Sequence, residues 1–178
     1  LLALDWNNGN RTILVDVRLS GLLVGQTLHT RPPEIYRALI EATAFGALTI
    51  IDRIEEYGVP ITDVVNCGGL AARSPLLMQI YADVTGRPMK VSRSEQTCAL
   101  GAAICGAAAG GAGSVAELQF KVTATREKVY QPLAENHAVY RDLYAHYRTL
   151  HDAFGTAEWT GKLHQVMKRL LEIRDRQR

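Results

Sequence analysis

Residues 63–91 change their hydrophobic period twice, and that change constrains the fold more than any other feature of the chain. Asp63-Val64-Val65-Asn66-Cys67 is a short β-type run, and Gly68-Gly69 ends it. Ser74 is a good N-cap residue and Pro75 suits the first helical position, where no backbone N–H is needed. Leu77, Ile80, Tyr81 and Val84 then recur at helical spacing until Gly86 and Pro88 stop the helix. Met89-Lys90-Val91 predicts a second strand, followed by a helix of small residues from about Ala99 to Ala109. The order strand, glycine turn, helix, strand, helix argues for an α/β layer fold.

The flanking segments are helical with loops. Residues 1–33 are rich in Asn, Gly and Pro, with short strands predicted at Ile13-Leu14-Val15 and Leu22-Leu23-Val24. Pro32-Pro33 opens a long helix from Glu34 to Tyr57, whose apolar positions Ile35, Leu39, Ala42, Phe45, Leu48, Ile51 and Ile54 recur every three or four residues. Gly58 and Pro60 end it. Residues 110–132 read as a loop-rich connection. Two helices follow, one with a stripe of Tyr140, Leu143, Tyr147, Leu150 and Phe154, the other with Leu163, Val166, Met167, Leu170 and Leu171. At this spacing the tyrosines read as core packing. The sequence shows no internal repeat.

Composition excludes several function classes. A net charge of +2, from 20 basic and 18 acidic side chains, gives no electrostatic footprint for nucleic acid. The basic tail Arg174, Asp175, Arg176, Gln177, Arg178 reads as a solvated helix end. Cys67, Cys98 and Cys105 form no CxxC pair and no zinc spacing, so buried, reduced thiols in a cytoplasmic protein are expected. The small-apolar run from Cys98 to Gly113 is too short to span a membrane. The chain starts without Met and shows no signal peptide, as expected for a piece of a longer protein.

Few residue patterns point to chemistry. Gly68-Gly69, between a strand and a capped helix, fits either a nucleotide cradle or a plain tight turn, and the GxGxxG spacing of a dinucleotide fingerprint is absent. Gly155 to Lys162 is not a phosphate loop: five residues separate its glycines, and Leu163 stands where Ser or Thr is required. His29, His137, His146, His151 and His164 form no HExxH motif and join no Cys pair, so no metal site is expected. No Ser-His-Asp set can be assembled. Glu41 and Glu95 read as structural or capping carboxylates, and Asp5 and Asp16 are the remaining carboxylates to consider if the chain proves catalytic. Gly101, Gly106 and Gly110 among alanines predict close helix packing, where a bulky side chain would clash.

The run from Asn66 to Pro88, Asn-Cys-Gly-Gly-Leu-Ala-Ala-Arg-Ser-Pro at its start, resembles the adenosine motif of the FGGY carbohydrate kinases. Glu95-Gln96-Thr97-Cys98-Ala99-Leu100-Gly101-Ala102-Ala103 is similar to that family's second connecting helix. Leu4-Asp5-Trp6-Asn7-Asn8-Gly9-Asn10-Arg11 and Glu41-Ala42-Thr43-Ala44-Phe45-Gly46 resemble one pentulose-kinase branch, and xylulose and glycerol kinases differ around the first segment. The resemblance covers about residues 1–150. It implies an incomplete C-terminal lobe of the actin-like ATPase (ribonuclease H-like) fold with extra C-terminal helices, ATP lying in a cleft between two lobes. Residues 1–115 would be part of the nucleotide-binding domain and residues 116–178 a two-helix extension packed on it.

By the same resemblance, Gly68, Gly69 and Leu70 line the adenine and ribose site, with Arg73 and Ser74 at its edge. Ser74 stands where many relatives carry Asn. The family's catalytic aspartate and sugar-binding residues would lie upstream of Leu1, so no catalytic or metal residue is assigned here. ATP and Mg²⁺, the latter held mainly by the missing part, are the implied cofactors. The implied partners are the missing N-terminal kinase lobe and a small-molecule sugar, with no nucleic acid and no membrane; a homodimer is possible. Another sugar or polyol kinase of the family, or a non-catalytic actin-like nucleotide module, are the alternatives.

Overall fold

A computed structural model describes residues 1–177. In chain order the elements are β1 (Leu2–Leu4), β2 (Leu22–Val24), α1 (Pro32–Glu56), β3 (Val64–Asn66), α2 (Gly69–Arg73) and α3 (Pro75–Thr85). β4 (Met89–Val91), α4 (Thr97–Ala109), α5 (Val115–Val122), α6 (Ala134–Gly155) and α7 (Val166–Arg176) complete the chain. They form two compact units, one of Leu1–Ile61, Asp83–Gly86 and Pro132–Arg178, the other of Thr62–Ala82 and Arg87–Gln131.

In the first unit β1 pairs antiparallel with β2, Ala3 facing Leu23, and α1 packs on β1. The two prolines start α1 because their missing N–H groups are not needed in the first turn, and the Arg31 amide donates to Glu34 Oε2 at 2.7 Å. Gly58, at φ 79°, ends the helix in the left-handed region. The buried face of α1 runs through Ala38, Ala42, Phe45 and Thr49, while Leu39, expected on that stripe, is exposed. Phe45 is fully buried among the rings of Tyr140, Tyr144 and Tyr147 of α6, with centroids 6.1, 5.9 and 5.3 Å away. The tyrosine stripe is therefore core, as its spacing indicated. Phe154, at its end, is exposed. From α7 the buried side chains are Val166, Leu170 and Ile173, while Met167 and Leu171 face solvent.

Asp83 also belongs to this unit and is 2% exposed. Its carboxylate accepts from the Leu133 amide and the Asn136 side chain, both at 2.8 Å, at the start of α6. The strand expected at Ile13–Val15 is absent. Asn10 Oδ1 accepts from the amides of Ile13 and Leu14 at 3.2 and 3.1 Å, folding the segment into a turn, and Val15 takes a positive φ of 54°. Of the basic tail, Arg176 pairs with Asp142 at 3.1 Å, and Arg178 lies outside the described residues.

The second unit holds the predicted strand–turn–helix–strand unit. β3 and β4 are parallel, with Val64 facing Met89 and Asn66 facing Val91. Residues 75–82 of α3 contribute to a small core in which Ala71, Met78 and Val91 are buried, with Leu77, Tyr81 and Tyr130 against them. Two expectations are corrected here. Residues 110–132 are not all loop: Ser114 Oγ accepts from the Glu117 amide at 3.3 Å and the Ser114 amide donates to Glu117 Oε2 at 2.9 Å, a capping box that starts α5. Nor is α4 a close-packed helix within this chain. Ile104 is its buried residue, and a Cβ built on Gly101 or Gly106 meets nothing within 4 Å among the described residues. For the same reason Cys98 and Cys105 are exposed rather than buried, as is Cys67 just beyond β3.

Candidate functional site

The glycine turn sits at the carboxyl end of β3, where parallel strands of α/β folds present ligands. Asn66 fixes the strand end: its side-chain amide donates to the Lys90 carbonyl at 3.2 Å, and its own carbonyl accepts from the Ser92 amide at 2.9 Å. Gly68 then adopts φ 90° and ψ 173°, a conformation costly for any residue with a Cβ. It caps α2, its carbonyl accepting from the Ala72 amide at 3.2 Å. A Cβ on Gly68 would meet nothing within 4 Å among the described residues, so within this chain the space above the glycine is open.

Gly69 differs from its neighbour. Its φ is not positive, and a Cβ there would lie 2.5 Å from Nη2 of Arg73. The arginine folds back along α2, Nε donating to the Gly69 carbonyl at 3.2 Å. The left-handed glycine of the pair is thus Gly68, while Gly69 gives room to a guanidinium. Leu70 is 76% exposed. Ser74 Oγ accepts from the Leu77 amide at 3.3 Å and so caps α3.

An open groove of about 520 Å³ runs beside the turn, lined by Val65 and Cys67 of the β3 edge, Ser92 after β4, and Leu100 and Ile104 of α4. Arg126, which sequence reasoning did not single out, braces the turn from below: Nη1 donates to the Ala72 carbonyl at 3.1 Å and Nη2 to Glu95 at 2.9 Å. An isolated arginine in a loop carries no sequence signal of this role.

The carboxylates hold structural posts. Glu95 is paired with Arg126, Glu41 with Arg37 at 2.8 Å and with the Tyr140 hydroxyl at 2.8 Å, and Asp16 accepts from the Arg18 amide at 2.8 Å. Burial, with the Glu41 charge second, raises the Tyr140 hydroxyl well above its usual range. Tyr144 is pushed up to about 12, by burial first and by its bond to Asp52 second. Burial also raises the Asp5 carboxyl. Among the described residues no group of His, Cys, Asp or Glu could hold a metal ion, and no helix is long and apolar enough to cross a membrane.

The profile of the FGGY family of carbohydrate kinases, C-terminal domain, matches residues 1–110. The chain belongs to the FGGY family of carbohydrate kinases. Curated relatives include the ribulokinase of Geobacillus thermodenitrificans, 50% identical over 175 residues that make up 96% of this chain and 30% of that protein. The ribulokinase of Mycolicibacterium smegmatis is 46% identical over 98% of this chain and 30% of its own length. The chain thus spans about a third of the length of the curated relatives it matches.

Solved FGGY kinases share the fold. Ligand-bound xylulose kinase from Lactobacillus acidophilus superimposes with a TM-score of 0.76 at 23% identity, covering 88% of this chain and 32% of that one. Plasmodium falciparum glycerol kinase with ADP gives 0.65 at 19% identity, over 84% of this chain and 30% of that one. The architecture is that of part of an FGGY C-terminal domain. The likeness also runs further than the 150 residues the motifs indicated, because the alignments with the ribulokinases take in α7.

Proposed function

We propose that this chain is the C-terminal, nucleotide-binding part of a ribulokinase, a cytoplasmic enzyme of L-arabinose catabolism that transfers the γ-phosphate of ATP to L-ribulose. The observation that carries the reading is the identity to ribulokinases across nearly the whole chain, 50% to that of Geobacillus thermodenitrificans and 46% to that of Mycolicibacterium smegmatis. Residues 1–115 would belong to the kinase domain, and residues 116–178 would form an extension of it.

The geometry supports an adenosine subsite at the glycine turn. The open, Cβ-free surface of Gly68 is a place where a flat base can approach the backbone, with Leu70 offering apolar contact and Arg73 a planar cation. Gly68, Gly69, Leu70, Arg73 and Ser74 form this wall, with Ser74 acting by capping α3 behind it. Mg²⁺ is a different matter. In this reading Mg²⁺ is held mainly by the rest of the enzyme, which also supplies the base for the sugar hydroxyl. ATP supplies the phosphoryl group. This chain's part in the reaction is to place the nucleotide, and positioning is a large share of catalysis in phosphoryl transfer.

A coupled assay of ADP release by the full-length protein, with Mg²⁺ and each of L-ribulose, D-xylulose and glycerol, tests the reading. L-Ribulose should give the highest kcat/KM, and residues 1–178 alone should give no turnover. A full-length protein that prefers D-xylulose or glycerol is a different FGGY kinase, and one that ignores all three substrates is no ribulokinase.

A further inference from the structure

Glu41 uses only half of its carboxylate in the fold. Oε1 accepts from Arg37 Nε and from the Tyr140 hydroxyl, both at 2.8 Å, while Oε2 has no hydrogen bond among the described residues. The side chain is only 12% exposed and lines a cavity of about 260 Å³ in the first unit. A carboxylate oxygen so nearly buried calls for a donor, because desolvation without a hydrogen bond is costly. Arg37 lines the same cavity, and its Nη2 donates to the Tyr140 hydroxyl at 2.9 Å. A buried tyrosine thus fixes a carboxylate and a guanidinium side by side at the cavity wall.

The rest of the lining selects the ligand. Its carboxylates and guanidiniums are paired, Arg37 with Glu41, Glu34 with Arg31 and Arg174 with Asp175, so their charges cancel and a neutral molecule fits best. Ala38, Val139, Leu143, Leu170 and Ile173 supply an apolar floor. At the lip, the loop from β2 to α1 brings Thr27 and Thr30, whose hydroxyls accept from the His29 and Thr27 amides at 3.3 and 2.8 Å and keep their O–H groups to donate. Adjacent hydroxyls match this wall: one donates to Glu41 Oε2, its neighbour accepts from Arg37, and the C–H face lies on the floor. The volume falls just below the roughly 300–1,000 Å³ of sites for drug-sized ligands, which suits a single small sugar. We infer that this cavity binds a second, non-reacting molecule of a neutral, pentose-sized polyol, recognised by Glu41 and Arg37. The inference goes beyond the function proposed above, which gives this chain only the nucleotide, and does not depend on it.

The test follows the ¹³C-labelled methyl groups of Val139 and Leu143 by NMR in the full-length protein, titrated with L-ribulose in the absence of nucleotide. Both residues should shift and saturate. In Glu41→Gln, which keeps the shape of the side chain but turns the free acceptor into an amide, saturation should need on the order of tenfold more sugar, the scale of one hydrogen bond to a charged group. Val139→Phe fills the cavity from its apolar wall and leaves the polar pair intact; there the Leu143 methyls should no longer respond, which keeps the test open if Glu41→Gln fails to fold. Turnover of L-ribulose should keep its kcat/KM in both variants. The inference is overturned if the methyls do not move in the parent, or if either variant titrates as the parent does. An equal fall in kcat/KM also overturns it, because the methyls then report the reacting sugar. Inorganic phosphate is the anionic probe, and a saturable shift with phosphate but not with L-ribulose would make the cavity an anion site instead.

Discussion

Replacing Asp83 with Ala should be among the most destabilising single changes in the first unit. The carboxylate is 2% exposed and accepts two hydrogen bonds at 2.8 Å, from the Leu133 amide and the Asn136 side chain. Hydrogen bonds to a charged acceptor are worth about 1.5–3 kcal/mol each, so losing both costs roughly 3–6 kcal/mol. Leu133 is the N-cap of α6, and a negative charge there also adds about 0.3–1 kcal/mol through the helix dipole. Asp83→Asn keeps one acceptor oxygen and loses the charge, so its cost should be clearly smaller. A thermal melt reads the total: at about 2–4 °C per kcal/mol for a domain of this size, the fall is roughly 6 °C or more. Hydrogen exchange at the Leu133 amide reads the local effect, because that N–H loses its acceptor. A melting temperature within about 1 °C of the parent's, with Leu133 still protected, would refute the reasoning.

Two further changes test the reading of individual positions. Burial raises the Asp5 carboxyl, so the folded state carries a desolvated charge once the pH rises through that raised value. Below the ordinary carboxylate range the residue is neutral in both states and the penalty is absent. Asp5→Asn should therefore raise the melting temperature at pH 7 and make no difference near pH 3; the opposite pattern would show that the Asp5 charge is stabilising. Gly106→Ala, where a Cβ meets nothing within 4 Å among the described residues, should stabilise the isolated chain by about 0.5–1 kcal/mol through helix propensity, and a lowered melting temperature would place Gly106 against a neighbour.

The parts of the fold that were legible are those whose cause is local. The change of period between β3, α3 and β4 is written in residues 63–91, and Ser74-Pro75 and Pro32-Pro33 start helices for reasons of backbone chemistry alone. The capping box Ser114-x-x-Glu117 that starts α5 is equally local, but it follows directly on Gly110, Gly111 and Gly113, whose own signal is for a loop. Other features depend on neighbours that a sequence does not show. Alanine and glycine spacing in α4 looks the same whether the helix is covered or bare. The Ile13–Val15 run has strand-forming residues, yet the Asn10 side chain draws its amides into a turn. At the site, the strand–turn–helix frame was legible and the roles inside it were not. Which glycine takes the positive φ, and which makes room for Arg73, follows from the path of the backbone.

The central claim is that the turn at Gly68 forms the nucleotide wall of the full-length kinase, and Gly68→Val tests it most directly. Nothing among the described residues lies within 4 Å of the new Cβ, so the substitution fills space open in this chain and strains the φ of 90°. ATP and L-ribulose affinities should be measured on the same folded variant. The expected result is a severalfold or greater loss in ATP affinity with L-ribulose binding unchanged. Unchanged ATP affinity in a folded Gly68→Val enzyme would contradict the claim.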